Sequence, residues 1–259
     1  MLRFLVAIDH TVESTFALRA ACDLAKEKGG HLEALHVLDP SAKTLDYGAG
    51  WAIHTYKRER LQEAYADMQG VIASESQTCE STPDLKVVFG DVVKEITREV
   101  ARGSFDALFM GSVHPLEGPH QGILLKLLPK APCPVITVKH YRPLRKVLLL
   151  VGEEEAAEKA ISTTDLLFKG LSVRMDVAAL AQTEEETSPQ VLLEKTRERL
   201  VSLGMDTTDH GLLADPTQEI LESARHYDLV ILGWSHAGKP DPLALMMLQK
   251  MPAPLMICP

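Results

Sequence analysis

The feature that most constrains this chain is that it repeats itself. FDALFMGSVH at 105–114 aligns with YDLVILGWSH at 227–236 at an offset of 122 residues, and KAPCPV at 130–135 faces PAPLMI at 252–257 at the same offset. GDVVKEI at 90–96 faces ADPTQEI at 214–220 at an offset of 124. One short match would arise by chance. Several in one order, each in the same expected element, point to a duplicated unit. A chain of 259 residues then reads as two small domains rather than one large one. The expected limits are 1–140 and 145–259, joined at 140–143.

Each copy alternates short apolar runs with helical patterns. Expected strands lie at 5–8, 32–38, 85–89, 107–110 and 134–138, and again at 147–151, 173–180, around 212–213, 229–232 and 255–258. Between them Ala17, Ala21 and Leu24, or Ala156, Ala160 and Leu167, recur at helical spacing. Asp91 is placed to cap the helix after Gly90, and Asp215-Pro216 opens another, since Pro lacks only an N–H that the first turn does not use. Continuous apolar strands alternating with helices are the mark of an α/β fold with a parallel sheet covered on both faces.

Composition excludes several functions. A formal net charge of -9 disfavours general nucleic-acid binding, because an acidic surface repels phosphate backbones. The KRER run at 57–60 reads as the solvated face of a helix. Wholly apolar runs such as 147–151 fall far short of a membrane span. The N-terminus, MLRFLVAIDH, reaches an acid too soon for a signal-peptide core, so the expectation is a cytoplasmic protein. Cys22, Cys79, Cys133 and Cys258 are scattered without a C-x-x-C, which fits reduced thiols better than a disulfide framework or a zinc site.

VAID at 6–9, LHVLD at 35–39, GD at 90–91, DALFMGS at 106–112 and APCPV at 131–135, in that order and spacing, resemble the universal stress protein family. The resemblance covers the first half and most of the second. It implies five-stranded parallel sheets of order 3-2-1-4-5. It also implies that the fifth strands of two domains pair antiparallel, which here would form an internal pseudo-dimer and cover two apolar edges. Further association of two chains into a homodimer is left open.

Some members of that family bind ATP, with adenosine near the ends of the first two strands and phosphates on a loop of pattern G-x2-G-x9-G-[S/T]. The general physics is that glycines let backbone N–H groups approach a phosphate at a helix N-terminus. By resemblance, Asp9, Val37, Met110 and Gly111 stand on the adenosine side and loop entry of a site for ATP or AMP, and Gly122 falls in the final glycine-serine region. The loop departs from the pattern. His114 replaces the second glycine, Gln121-Gly122 replaces the Gly-Ser pair, and Pro115 and Pro119 offer no N–H. In the second half Gly152 stands where Asp9 does, Leu243-Ala244 replace the glycine-serine pair, and Glu153, Glu154 and Glu155 would repel phosphate.

Both halves share G-x-x-H, which ends at His114 and His236. These read either as pocket-lining histidines or as ordinary loop histidines; a metal site lacks a ligand set at proper spacing. No G-x-S-x-G, Walker-type or H-E-x-x-H motif is present. Two readings follow. The first is a non-enzymatic stress-response or regulatory protein with a degenerate nucleotide site and no resident cofactor, acting on a protein partner or small ligand rather than on nucleic acid or membrane. The second is an ATP- or AMP-binding, weakly hydrolysing protein using the first-half site. The altered loop favours the first. A third reading, an enzyme with its site between the halves, has no residues to carry its chemistry.

Overall fold

The computed structural model describes residues 1–39, 51–75, 79, 82–112, 120–180, 188–213, 216–233 and 242–258. By contacts the chain divides into two compact units, Met1–Gly111 and Ser112–Pro259.

The first unit carries β1 (Arg3–Ala7), α1 (Val12–Lys28), β2 (His31–Leu38), α2 (Trp51–Ser74), β3 (Asp84–Phe89), α3 (Val92–Gly103) and β4 (Ala107–Gly111). Its strands run in the order β3-β2-β1-β4. All three pairings are parallel, with Ala7 opposite Leu35 on one side and Met110 on the other. Central β1 buries Phe4, Leu5 and Val6, whereas β3 at the edge is only half covered. At roughly 2 kcal/mol for each fully buried aliphatic or aromatic side chain, the centre of the sheet holds most of the driving force. Helix α1 begins at Thr11, whose hydroxyl accepts from the Ser14 N–H, and ends at Gly29. Gly29 has φ 61°, a left-handed conformation that costs glycine little, and its N–H closes the last turn on the carbonyls of Ala25 and Lys26. Asp91 caps α3 as expected, accepting from the Lys94 N–H at 2.9 Å. The residues of the KRER run are exposed on α2.

The second unit holds α4 (His120–Leu127), β5 (Val135–Val138), β6 (Lys146–Val151), α5 (Glu154–Phe168), β7 (Arg174–Leu180), α6 (Pro189–Ser202), β8 (Asp206–Leu213), α7 (Pro216–Ala224), β9 (Leu229–Gly233), α8 (Pro242–Lys250) and β10 (Leu255–Cys258). A single 3-10 turn at Leu128–Lys130 follows α4. The order β8-β7-β6-β9-β10 is 3-2-1-4-5 counted within the repeat, all parallel. β5 lies on the far side of β10 and runs antiparallel to it, with Met256 opposite Ile136. The expected pairing of the two fifth strands is therefore present. Lys139, just past β5, donates to the carbonyls of Leu248 and Met251 at the end of α8, at 3.2 and 2.8 Å. A cation there meets the negative end of the helix dipole, while burial pulls its pKa down to about 8.

Two expectations need correction. Strand β8 is longer than the short segment around 212–213, beginning at Asp206. Its first half, DTTDH, is polar because β8 is an edge strand, and it carries an irregularity in register opposite Val177 and Ala178, with Gly211 at φ 102°. The cysteines are not all free thiols. Cys22 on α1 and Cys79, between α2 and β3, form a disulfide with Cα atoms 4.7 Å apart; Cys133 and Cys258 are buried and not disulfide-bonded.

At the amino ends of the strands both units build the same arrangement. Arg3 pairs with Glu33 at 2.5 Å and lies 4.9 Å from the centre of the Phe105 ring, and Asp106 accepts the Arg3 N–H at 2.8 Å. Lys146 pairs with Asp176 at 3.2 Å and lies 4.4 Å from the centre of the Tyr227 ring, and Asp228 accepts the Lys146 N–H at 2.9 Å. This side-chain correspondence supports duplication independently of the sequence offsets.

Candidate functional site

In open parallel sheets, ligands bind beyond the carboxyl ends of the strands, where the strand order reverses. In the first unit that place is the end of β1, flanked by β2 and β4. Asp9 follows β1, Val37 lies near the end of β2, and Met110 and Gly111 end β4. The parallel registers bring these four to one edge of the sheet. Met110 is buried, while Asp9, Val37 and Gly111 are half-buried.

The turn after β1 is closed by its own side chains. The Thr11 N–H and hydroxyl both donate to Asp9 Oδ1, at 2.9 and 2.5 Å. The Asp9 N–H donates to Ser14 Oγ at 2.8 Å, and the Ser14 N–H donates to Thr11 Oγ1 at 3.2 Å. Asp9 thus shapes the start of α1 and aims its first turn at the sheet edge. Gly111 packs against that turn. A Cβ at Gly111 would lie 2.4 Å from the Ser14 nitrogen, so only glycine allows the approach.

Besides Thr11 and Ser14, two histidines missed from the sequence belong here. His36 is buried, and its Nδ1 donates to the carbonyl of Ile8 at 2.7 Å. The exposed His10 ring meets it edge-on, with centroids 5.8 Å apart. The hydrogen bond to Ile8 places the Nδ1 proton and leaves Nε2 as the acceptor of the neutral ring. His36 stood inside the motif LHVLD, but one polar residue within an apolar run reads as core. Thr11 and Ser14 stood in a recognisable cap pattern directly after Asp9.

Gly122 lies in α4, in the second unit, with open space where a side chain would extend. His114 and His236 lie outside the described residues. Among the described residues no group of three His, Cys, Asp or Glu is arranged to hold a metal ion, and no helix is long and apolar enough to cross a membrane.

The second unit repeats the scaffold without the polar turn. Gly233 ends β9 as Gly111 ends β4, and a Cβ there would lie 2.2 Å from the Ala156 carbonyl oxygen. Gly152 takes the place of Asp9, and Glu153 at the N-cap of α5 makes no side-chain cap. Glu154 and Glu155 are exposed and pair with Lys195 and Lys159, both at 3.1 Å.

Residues 1–139 match the model of the universal stress protein family, so the chain belongs to that family. None of the curated proteins searched matches it. Among solved structures, a universal stress protein from Archaeoglobus fulgidus DSM 4304 superposes over 99% of this chain and 97% of its own, with 18% identity and a TM-score of 0.75. A putative universal stress protein from Pseudomonas aeruginosa UCBPP-PA14 covers 99% of this chain and 92% of its own, with 17% identity and a TM-score of 0.56. At these identities the likeness speaks for the fold.

Proposed function

We propose that this protein is a tandem, non-enzymatic universal stress protein that serves a stress-response or regulatory role in the cytoplasm by binding a partner or small ligand, and that its first-half nucleotide site is degenerate. The observation that supports this is how the polar groups beyond β1 and β2 are used. The Asp9 carboxylate holds Thr11, Ser14 holds the Asp9 backbone, and His36 holds the Ile8 carbonyl. General acid–base or nucleophilic catalysis needs a group poised to exchange a proton with substrate or with a paired nucleophile. These groups instead fix the shape of the turn beyond β1. In this reading the repeats, 1–140 and 145–259, have unequal parts: the first presents the ligand-facing turn, and the second, with Gly152 in place of Asp9, is the structural half.

A second reading has one observation in its favour. Asp9, Val37, Met110 and Gly111, the positions that correspond to the adenosine side in the family, share one sheet edge at the switch point. ATP or AMP bound there would make the protein a nucleotide carrier or a weak hydrolase. Calorimetric titration of ATP and AMP into the wild type and Asp9→Asn separates the readings, because Asn keeps an oxygen to accept from Thr11. The first reading expects no binding tighter than about 1 μM, equivalent to ~8 kcal/mol, and no phosphate release above background. Tighter binding that is lost in Asp9→Asn, or a nucleotide that copurifies, would replace it with the second.

A further inference from the structure

We propose that Cys22 and Cys79 are a reversible thiol–disulfide clasp through which the redox state of the surroundings sets the stability of the first unit. The two residues are separated by 57 positions, and their bond ties the middle of α1 to the connection between α2 and β3. The sulfurs differ in access. Cys22 is 2% exposed on the buried side of α1, whereas Cys79 is half-buried and lines a surface cavity of about 660 Å3 together with Tyr65, Ile72 and Pro83. One shielded and one reachable sulfur is what a disulfide needs to be opened from a single side.

A second link holds the same elements whatever the state of the sulfurs. Arg19, one turn before Cys22, grips the carboxylate of buried Glu75 through both Nε and Nη2. Glu75 directly follows α2, and its carbonyl accepts the Cys79 N–H at 3.4 Å. Reduction therefore leaves the two thiols close together, and the bond reforms at high effective concentration. The other cysteines are built differently. Cys133 is buried, and burial pushes the Cys258 thiol up to about 12, so Cys258 offers no thiolate at neutral pH.

The exchange balances as follows. The Cys79 thiol loses its proton to water and attacks one sulfur of a low-molecular-weight disulfide of the glutathione class, releasing one thiolate. The Cys22 thiol then loses its proton and attacks Cys79 Sγ, releasing the second thiolate. The two released thiolates take up the two protons. Two protein thiols are oxidised and one small disulfide is reduced to two thiols. A dithiol reductant reverses both steps by attacking Cys79 Sγ from the cavity.

The test equilibrates the folded full-length protein in glutathione buffers from reducing to oxidising, quenches it in acid, denatures it, alkylates it and weighs it intact. Peptide mapping locates the bond. The expected result is four alkylated cysteines at the reducing end, two at the oxidising end, and a reversible transition assigned to Cys22 and Cys79. Dithiothreitol should lower the Tm of the wild type by about 5–10 °C and leave that of Cys79→Ser unmoved. Four alkylated cysteines in oxidising glutathione would overturn the proposal. So would a bond that dithiothreitol cannot open without denaturant, or an equal Tm shift in Cys79→Ser. Should that variant fail to fold, the trapping experiment on the wild type decides alone.

Discussion

In the first unit the carboxylate that pairs with the strand cation, Glu33, keeps a fifth of its side chain in solvent, and the ring beside that cation is Phe105, which has no hydroxyl to offer. In the second unit its counterpart Asp176 has 5% of its side chain exposed and gathers four partners: Lys146 and Arg174, each at 3.2 Å, the Thr208 hydroxyl at 2.5 Å and the Tyr227 hydroxyl at 2.7 Å. Burial alone would raise the Asp176 pKa, but the hydrogen bonds from Thr208, Tyr227 and Lys146 outweigh it and hold the carboxyl at about 2. Burial and the neighbouring Asp176 raise the Tyr227 hydroxyl well above its ordinary value. At the other end of the strands the contrast reverses. The first unit ties a polar knot of Asp9, Thr11 and Ser14 beyond β1, where the second has Gly152 and an uncapped helix. The side-chain hydrogen bonding of the duplicated fold is thus richer at the carboxyl ends of the strands in one copy and at the amino ends in the other.

The largest expected effect tests the amino-end half of this contrast. Asp176→Ala should destabilise the second unit by about 3 kcal/mol, because it leaves the buried Tyr227 hydroxyl without its acceptor and takes the shared carboxylate from Thr208 and half-buried Lys146. Glu33→Ala should cost about 1 kcal/mol or less, because Arg3 is partly solvated. Urea unfolding, with amide exchange to assign the transition to a unit, measures both. Equal costs would break the comparison.

Acid should report the same network with a smaller effect. The Asp176 carboxyl titrates at about 2, below its ordinary 3.8, so its contribution is present above that ordinary value and is lost as pH falls through 2. The shift corresponds to a stability of about 2 kcal/mol. Unfolding free energy measured from pH 5 to pH 2 should therefore fall by about that much more in the wild type than in Asp176→Asn. Superimposable acid limbs would show that the network contributes nothing through charge.

Much of this was readable from residues alone, for a definite reason. Central parallel strands must be apolar on both faces, so runs such as LLLV in β6 announce themselves, and Gly29 and Gly204 mark helix ends through their positive φ. Reading weakened where the environment is mixed. The DTTDH segment of β8 looks like loop because an edge strand needs no apolar run, yet Thr208 there is one of the partners of Asp176. The Cys22–Cys79 bond carries no local signature, because pairing across 57 residues is decided by how α1 packs and not by spacing. Asp9 was reached through family resemblance, but its work on Thr11 depends on side-chain geometry that no motif encodes.

The smallest expected effect tests the carboxyl-end half of the comparison, and it runs in both directions. Thr11 satisfies an orphan N–H of α1 and also donates to Asp9, so Thr11→Ala should cost about 1–2 kcal/mol and loosen the turn around Asp9. Glu153 occupies the same position on α5 without a side-chain cap; only its carbonyl is engaged, by the Ala157 N–H. Glu153→Ala should then change stability by no more than about 0.5 kcal/mol. Glu153→Ser should add stability of about 1 kcal/mol by supplying the oxygen that α5 lacks. Thermal melts of the three variants, with exchange rates of the first-turn amides of α1 and α5, check each outcome. If Glu153→Ala costs as much as Thr11→Ala, the second copy has kept a working cap, and the carboxyl-end difference between the halves reduces to the exchange of Asp9 for Gly152.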